Sequence, residues 1–102
     1  MTRDEIMKLE GRELDAAVAE KVMGWDTSKI AWRPFYISSW QPSENIADAW
    51  QVVEKIPNIQ IAHIAEYGYW RVAPDYHEPT MFVIADTPEL AICRAALLAI
   101  LE

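Results

Sequence analysis

Thr80-Met81-Phe82-Val83-Ile84-Ala85-Asp86-Thr87-Pro88-Glu89-Leu90-Ala91-Ile92-Cys93-Arg94-Ala95-Ala96-Leu97-Leu98 decides the fold. Its opening, Thr80 to Ala85, is apolar at odd and even positions alike. Side chains in a strand alternate between two faces. A strand without alternation is therefore expected to be covered on both sides, by layers of helix above and below a sheet. Asp86-Thr87-Pro88-Glu89 reads as a helix start, with Thr87 as N-cap and Pro88 at the first helical position. The helix is expected to run to about Leu101, and Arg94 is its one charged residue after Leu90. A helix apolar nearly all round is buried nearly all round. That places it at the centre of the domain or in a subunit interface. Ala91, Ala95 and Ala99 form a small-residue stripe where another backbone can come close.

Working back toward the N-terminus, Ile59–Ala65 and Tyr69–Ala73 read as strands joined by the turn Glu66-Tyr67-Gly68. Before them, Pro42-Ser43 opens a helix with Ser43 as N-cap. Ile46, Trp50 and Val53, then Ile56 or Pro57, give its apolar stripe; Asp48, Gln51 and Glu54-Lys55 face water, and Pro57 stops it. A further helix runs from about Arg12 to Met23, burying Leu14, Val18 and Val22 beside Ala17, with Asp15, Glu20 and Lys21 on the wet face. Gly24 suits its C′ position, and Trp25 can fold back on the last turn. Thr2-Arg3-Asp4-Glu5 has the spacing of a capping box, and Gly11 interrupts the short helix behind it.

The chain has 102 residues, enough for one domain with one modest core. The expectation is a single α/β (α+β) domain over residues 1–102: a helix–sheet–helix sandwich with a small antiparallel sheet. At 52% hydrophobic residues it is no disordered chain. A formal net charge of -7 opposes nonspecific nucleic-acid binding. The lone Cys93 points to a reducing compartment. The polar N-terminus lacks a secretory pattern, and no run has membrane-span length. A cytosolic protein is expected.

Three stretches together resemble the phage ABA sandwich domain family of small bacteriophage and prophage proteins. One is Gly11-Arg12-Glu13-Leu14-Asp15 running into Val18-Ala19-Glu20-Lys21-Val22-Met23-Gly24-Trp25. Another is Trp40-x-Pro-Ser43 followed by Ile46, Ala49-Trp50 and Val53-Glu54-Lys55. The last is Ala85-x-Thr87-x-x-Leu90 running on to Leu98. The resemblance implies a helix–sheet–helix sandwich and a phage-encoded protein working in the host cytoplasm. It brings no catalytic residue, and residues 59–80 carry no shared motif.

Aromatic residues supply the candidate site. Five tryptophans are present, and Trp32-Arg33-Pro34-Phe35-Tyr36-Ile37-Ser38-Ser39-Trp40 concentrates two of them with an arginine in a stretch without helical period. Aromatic faces with a guanidinium beside them suit a planar anion, a nucleotide above all. Trp32, Arg33, Tyr36, Trp40, Trp70 and Arg71 are the candidate ligand-binding residues. The plainer alternative is core tryptophan beside solvated arginine. Trp70 and Arg71 are strand neighbours, so they point to opposite faces and cannot line one pocket of one chain; across a dimer they can. Arg12, at a helix start, either holds an anion or pairs with nearby carboxylates. The loop Asp75-Tyr76-His77-Glu78 and His63 lack metal-site spacing, so no metal is expected. Cys93 reads as a small buried hydrophobe, not a nucleophile.

The expected function is therefore non-enzymatic and needs no cofactor. A small anionic, nucleotide-like ligand of host defence is sequestered by a homo-oligomer. The alternative is an acidic interaction module that binds and inhibits a host protein.

Overall fold

A computed structural model describes residues 1–25, 40–75, 77 and 81–100 of the chain. Among these residues four helices and three strands form: α1 (Arg3–Lys8), α2 (Gly11–Lys21), α3 (Ile46–Val53), β1 (Gln60–Ile64), β2 (Tyr69–Ala73), β3 (Val83–Ala85) and α4 (Pro88–Ala99).

The capping box at α1 forms as spaced. The Thr2 hydroxyl oxygen accepts the Glu5 amide (3.2 Å), and the Glu5 carboxylate accepts the Thr2 amide (3.0 Å). That contact holds the Glu5 carboxyl below its usual range. Gly11 opens α2 at φ 57°, a left-handed conformation that glycine takes without penalty. Leu14, Val18 and Ala19 are buried, while Val22 and Ala17 are only half-buried. Gly24 turns the chain out at φ 74°, and the Trp25 amide returns to the Ala19 carbonyl (2.9 Å).

Asp15 departs from the expected wet face. It is 2% exposed and accepts the Ser43 amide at 2.8 Å. Helical period alone puts Asp15 beside Leu14, and a buried donor 28 residues along the chain makes that position tenable. The same contact reshapes the start of α3. Ser43 is not the N-cap: its amide serves Asp15, and the Glu44 and Asn45 amides return to the Gln41 carbonyl. Asn45 caps the helix instead, accepting the Asp48 amide at 3.1 Å.

The buried stripe of α3 is therefore Ala49, Val52 and Ile56, not Ile46 and Trp50. Six of the eight residues of α3 are apolar, so the sequence allows two phases. The small Ala49 permits close approach to α4, which a tryptophan there would prevent.

The strands form one antiparallel sheet in the order β1-β2-β3. Gly68 closes the β1–β2 hairpin at φ 73°, its amide bonding the Ile64 carbonyl (2.9 Å). His63 faces Trp70 across that ladder, and Trp70 faces Ala85 across the next. The third strand begins at Val83, after Met81 and Phe82, while Thr80 of the expected Thr80–Ala85 lies outside the described residues; the strand is not covered on both sides. Val83 and Ala85 are buried, but Ile84 between them is 46% exposed. Unbroken apolarity here comes from one residue facing solvent, not from a second covering layer at that position.

Helix α4 resolves the question its composition raises: it is central. Ala91, Ile92, Cys93, Ala95, Ala96, Leu97 and Leu98 are all buried. β2 and β3 pack on it, as do α1, α2 and α3. The Thr87 hydroxyl caps its first turn, accepting the Leu90 amide at 3.3 Å. Because one chain covers this helix, no second copy is needed to bury it. Arg94, the one basic residue of α4, donates from Nε (3.3 Å) and Nη2 (2.9 Å) to the Leu9 carbonyl. Leu9 is the C-cap of α1, so the guanidinium sits at the negative end of that helix. The result is a mixed α+β sandwich with a small antiparallel sheet.

Candidate functional site

Of the expected ligand-binding residues, Trp32, Arg33 and Tyr36 lie outside the described residues. The structure gives Trp40, Trp70 and Arg71 separate surroundings. Trp40 donates from Nε1 to the Gln51 side chain (2.9 Å), and its ring meets Trp25 edge-on with centroids 4.7 Å apart. It thus ties the end of α2 to α3. Trp70 stacks on His63 across the hairpin, centroids 4.4 Å apart at 21°, and packs against the core. Arg71 lies on the opposite face of the same strand. Its guanidinium carbon is 4.3 Å from the Phe82 ring centroid, a cation–π contact. The divergence of Trp70 and Arg71 follows from strand geometry and is what the register displays.

A shallow hollow lies at the start of α2, where α4 also begins. Glu10, Glu44 and Glu89 line it with Gly11, Ser43 and Thr87, and Arg12 does not. Three carboxylates offset the attraction of two helix starts for an anion. In the loop after β2, the Asp75 carboxylate accepts the His77 amide (2.9 Å), a local turn bond. Tyr76 and Glu78 lie outside the described residues. Among the described residues no group of three His, Cys, Asp or Glu side chains is placed to hold a metal. Burial pushes the Cys93 thiol far above its usual range, and the Asp15 and Glu89 charges push the same way.

Two features escaped the sequence reading. Trp50 is 53% exposed on α3, with Ile46 one turn earlier at 46%. The surplus of apolar residues on so short a helix was the available signal, since one face only can be buried. The other is a cleft of about 370 Å³ at the carboxyl end of α4. Residues from four separated stretches build it, so no local motif announces it.

Fold and surface together define a small, acidic α+β sandwich domain built around one central helix and presenting a tryptophan to solvent. The family model of the phage ABA sandwich domain matches residues 16–97, and the chain belongs to that family. No curated protein and no solved structure matches it. Among the described residues, no helix is long and apolar enough to cross a membrane.

Proposed function

We propose that this phage protein is a non-enzymatic interaction module of the host cytoplasm, which docks on a basic host protein through the outer face of α3. The exposure of Trp50 carries the reading. Tryptophan is enriched among residues that dominate binding energy. Burying the exposed half of its side chain, ~100 Å², stabilises a complex by about 2–3 kcal/mol. Ile46 extends the patch by one helical turn, the spacing of anchors that enter a groove. Glu44 and Glu54, both exposed, flank it. With a net charge of -7, they complement a basic rim on the partner and speed encounter.

Crosslinking in phage-expressing cells, followed by mass spectrometry, tests this. Trp50→Glu and Ile46→Glu should each abolish crosslinks to a basic partner while the melting curve is preserved. Crosslinks unchanged by both substitutions would sink the reading. A second copy on the same face is the competing occupant, and sedimentation of wild type against Trp50→Glu reads it directly.

Sequestration of a small anionic ligand is the second reading. Arg71 favours it, because a guanidinium held over a ring is preorganised for stacking or pairing. Native mass spectrometry separates the two: nucleotide-sized extra mass lost with Arg71→Ala supports sequestration, and bare protein supports a macromolecular partner.

A further inference from the structure

The cleft at the carboxyl end of α4 has chemistry of its own. It opens between the turn after α3, the end of β2 and the last residues of α4. Buried Ile56 and Leu98 and exposed Met81 give it an apolar lining. Pro57 and Pro74 stand in its walls, so part of its lining backbone is fixed before any ligand arrives. Its volume, about 370 Å³, lies at the small end of the range for ligand pockets.

The rim decides the class of ligand. The Asp75 carboxylate belongs to the lining and accepts the His77 amide on Oδ1. The carboxyl end of α4 adds partial negative charge, and the last turn of that helix carries no basic residue to offset it. Among the described residues, Lys55, on a long exposed stem, is the one cation of the lining. The described lining thus combines one carboxylate and the carboxyl end of a helix with the apolar side chains of Ile56 and Leu98.

We propose that this cleft binds a small amphiphile carrying one apolar group of aromatic-ring size and one ammonium head. The ring lies on Ile56 and Leu98, and the ammonium is held by Asp75 beside the end of α4. The inference stands apart from the docking reading, because neither Ile46 nor Trp50 lines the cleft.

Titration of isotope-labelled full chain with phenethylamine, followed by amide chemical shifts, is the test. 3-Phenylpropionate, with the same ring and the opposite charge, is the comparison. Phenethylamine should give saturable shifts at residues 55–58, 74–75 and 98–100, and bind at least fivefold more tightly than 3-phenylpropionate. Asp75→Asn keeps an oxygen for the His77 amide and should weaken the amine at least threefold. Ala99→Trp, at an exposed cleft position, should abolish binding while the melting temperature is retained. Equal affinity for the two probes, shifts elsewhere, no shifts at all, or undiminished binding to the Ala99→Trp variant would each overturn the proposal.

Discussion

Removing the Asp15 carboxylate separates two opposing effects that meet at one buried side chain. Asp15 joins α2 to the turn before α3 by accepting the Ser43 amide at 2.8 Å. Asp15→Ala strands that buried N–H, which costs about 1–3 kcal/mol. Relief of the buried charge offsets part of this, so a net loss of about 1–2 kcal/mol is expected. For a domain of this size, that lowers the melting temperature by roughly 5–15 °C. Asp15→Asn keeps an oxygen acceptor and removes the charge, so it should lie within about 1 kcal/mol of wild type near neutral pH. The pH dependence carries a sign. Burial raises the Asp15 carboxyl above its ordinary value, against the lowering by the Ser43 hydrogen bonds; Glu44 and Asp48 raise it further. The folded chain thus holds this proton more tightly than the unfolded chain does. Its contribution is fully present below the ordinary aspartate value and is lost as pH rises through the raised one. The Asn variant does not titrate there, so it should gain on wild type from acid to neutral pH. Thermal unfolding followed by circular dichroism across that window measures both effects. An Asn variant as unstable as the Ala variant at neutral pH, or a gap to wild type that is flat with pH, refutes the reasoning.

Other perturbations probe single contacts. Arg94→Met leaves the Leu9 carbonyl without its two donors and should cost about 1–2 kcal/mol, read as a lower urea midpoint at unchanged slope; an unshifted midpoint means the fork contributes nothing. Gly68→Ala adds a methyl that meets nothing within 4 Å, so its cost of about 1 kcal/mol is purely conformational. A penalty several times larger would show the hairpin to be coupled to distant packing. Thr87→Ala should lose about 1 kcal/mol while Thr87→Ser stays near wild type, and equal losses would argue against the hydroxyl cap. Cys93, buried with its thiol pushed up, should resist alkylation until denaturant unfolds the chain; rapid labelling of native protein contradicts the central placement of α4.

Local signals were legible because each is closed within a few residues. The Thr2–Glu5 capping box, the Gly68 hairpin, the Gly24 helix exit and the Thr87-Pro88 helix start all require only neighbours in sequence. The phase of α3 was not legible. Six of its eight residues are apolar, so more than one stripe is open to it, and packing on α4 buries Ala49 and Val52. Asp15 was misread for the same reason: its partner is remote. The length of β3 depends on pairing with β2, which ends at Val72↔Val83, and not on how far the apolar run extends. Of the expected site, the opposite orientation of Trp70 and Arg71 follows from strand alternation alone. The rings each one meets, His63 and Phe82, depend on register and could not be read. The exposed Trp50 and the cleft at the end of α4 are products of tertiary packing.

The central position of α4 also bears on the order of events during synthesis. α1, α2, α3, β2 and β3 all rest on a helix that the ribosome delivers after them. Until Pro88–Ala99 has emerged, Leu14, Val18, Val52 and Val72 lack the helix at the centre of their core. The β1–β2 hairpin is local and can form early, but the layers must wait for a partner distant in the chain. The nascent protein therefore passes through a stage with its apolar surface uncovered, open to chaperones and proteases.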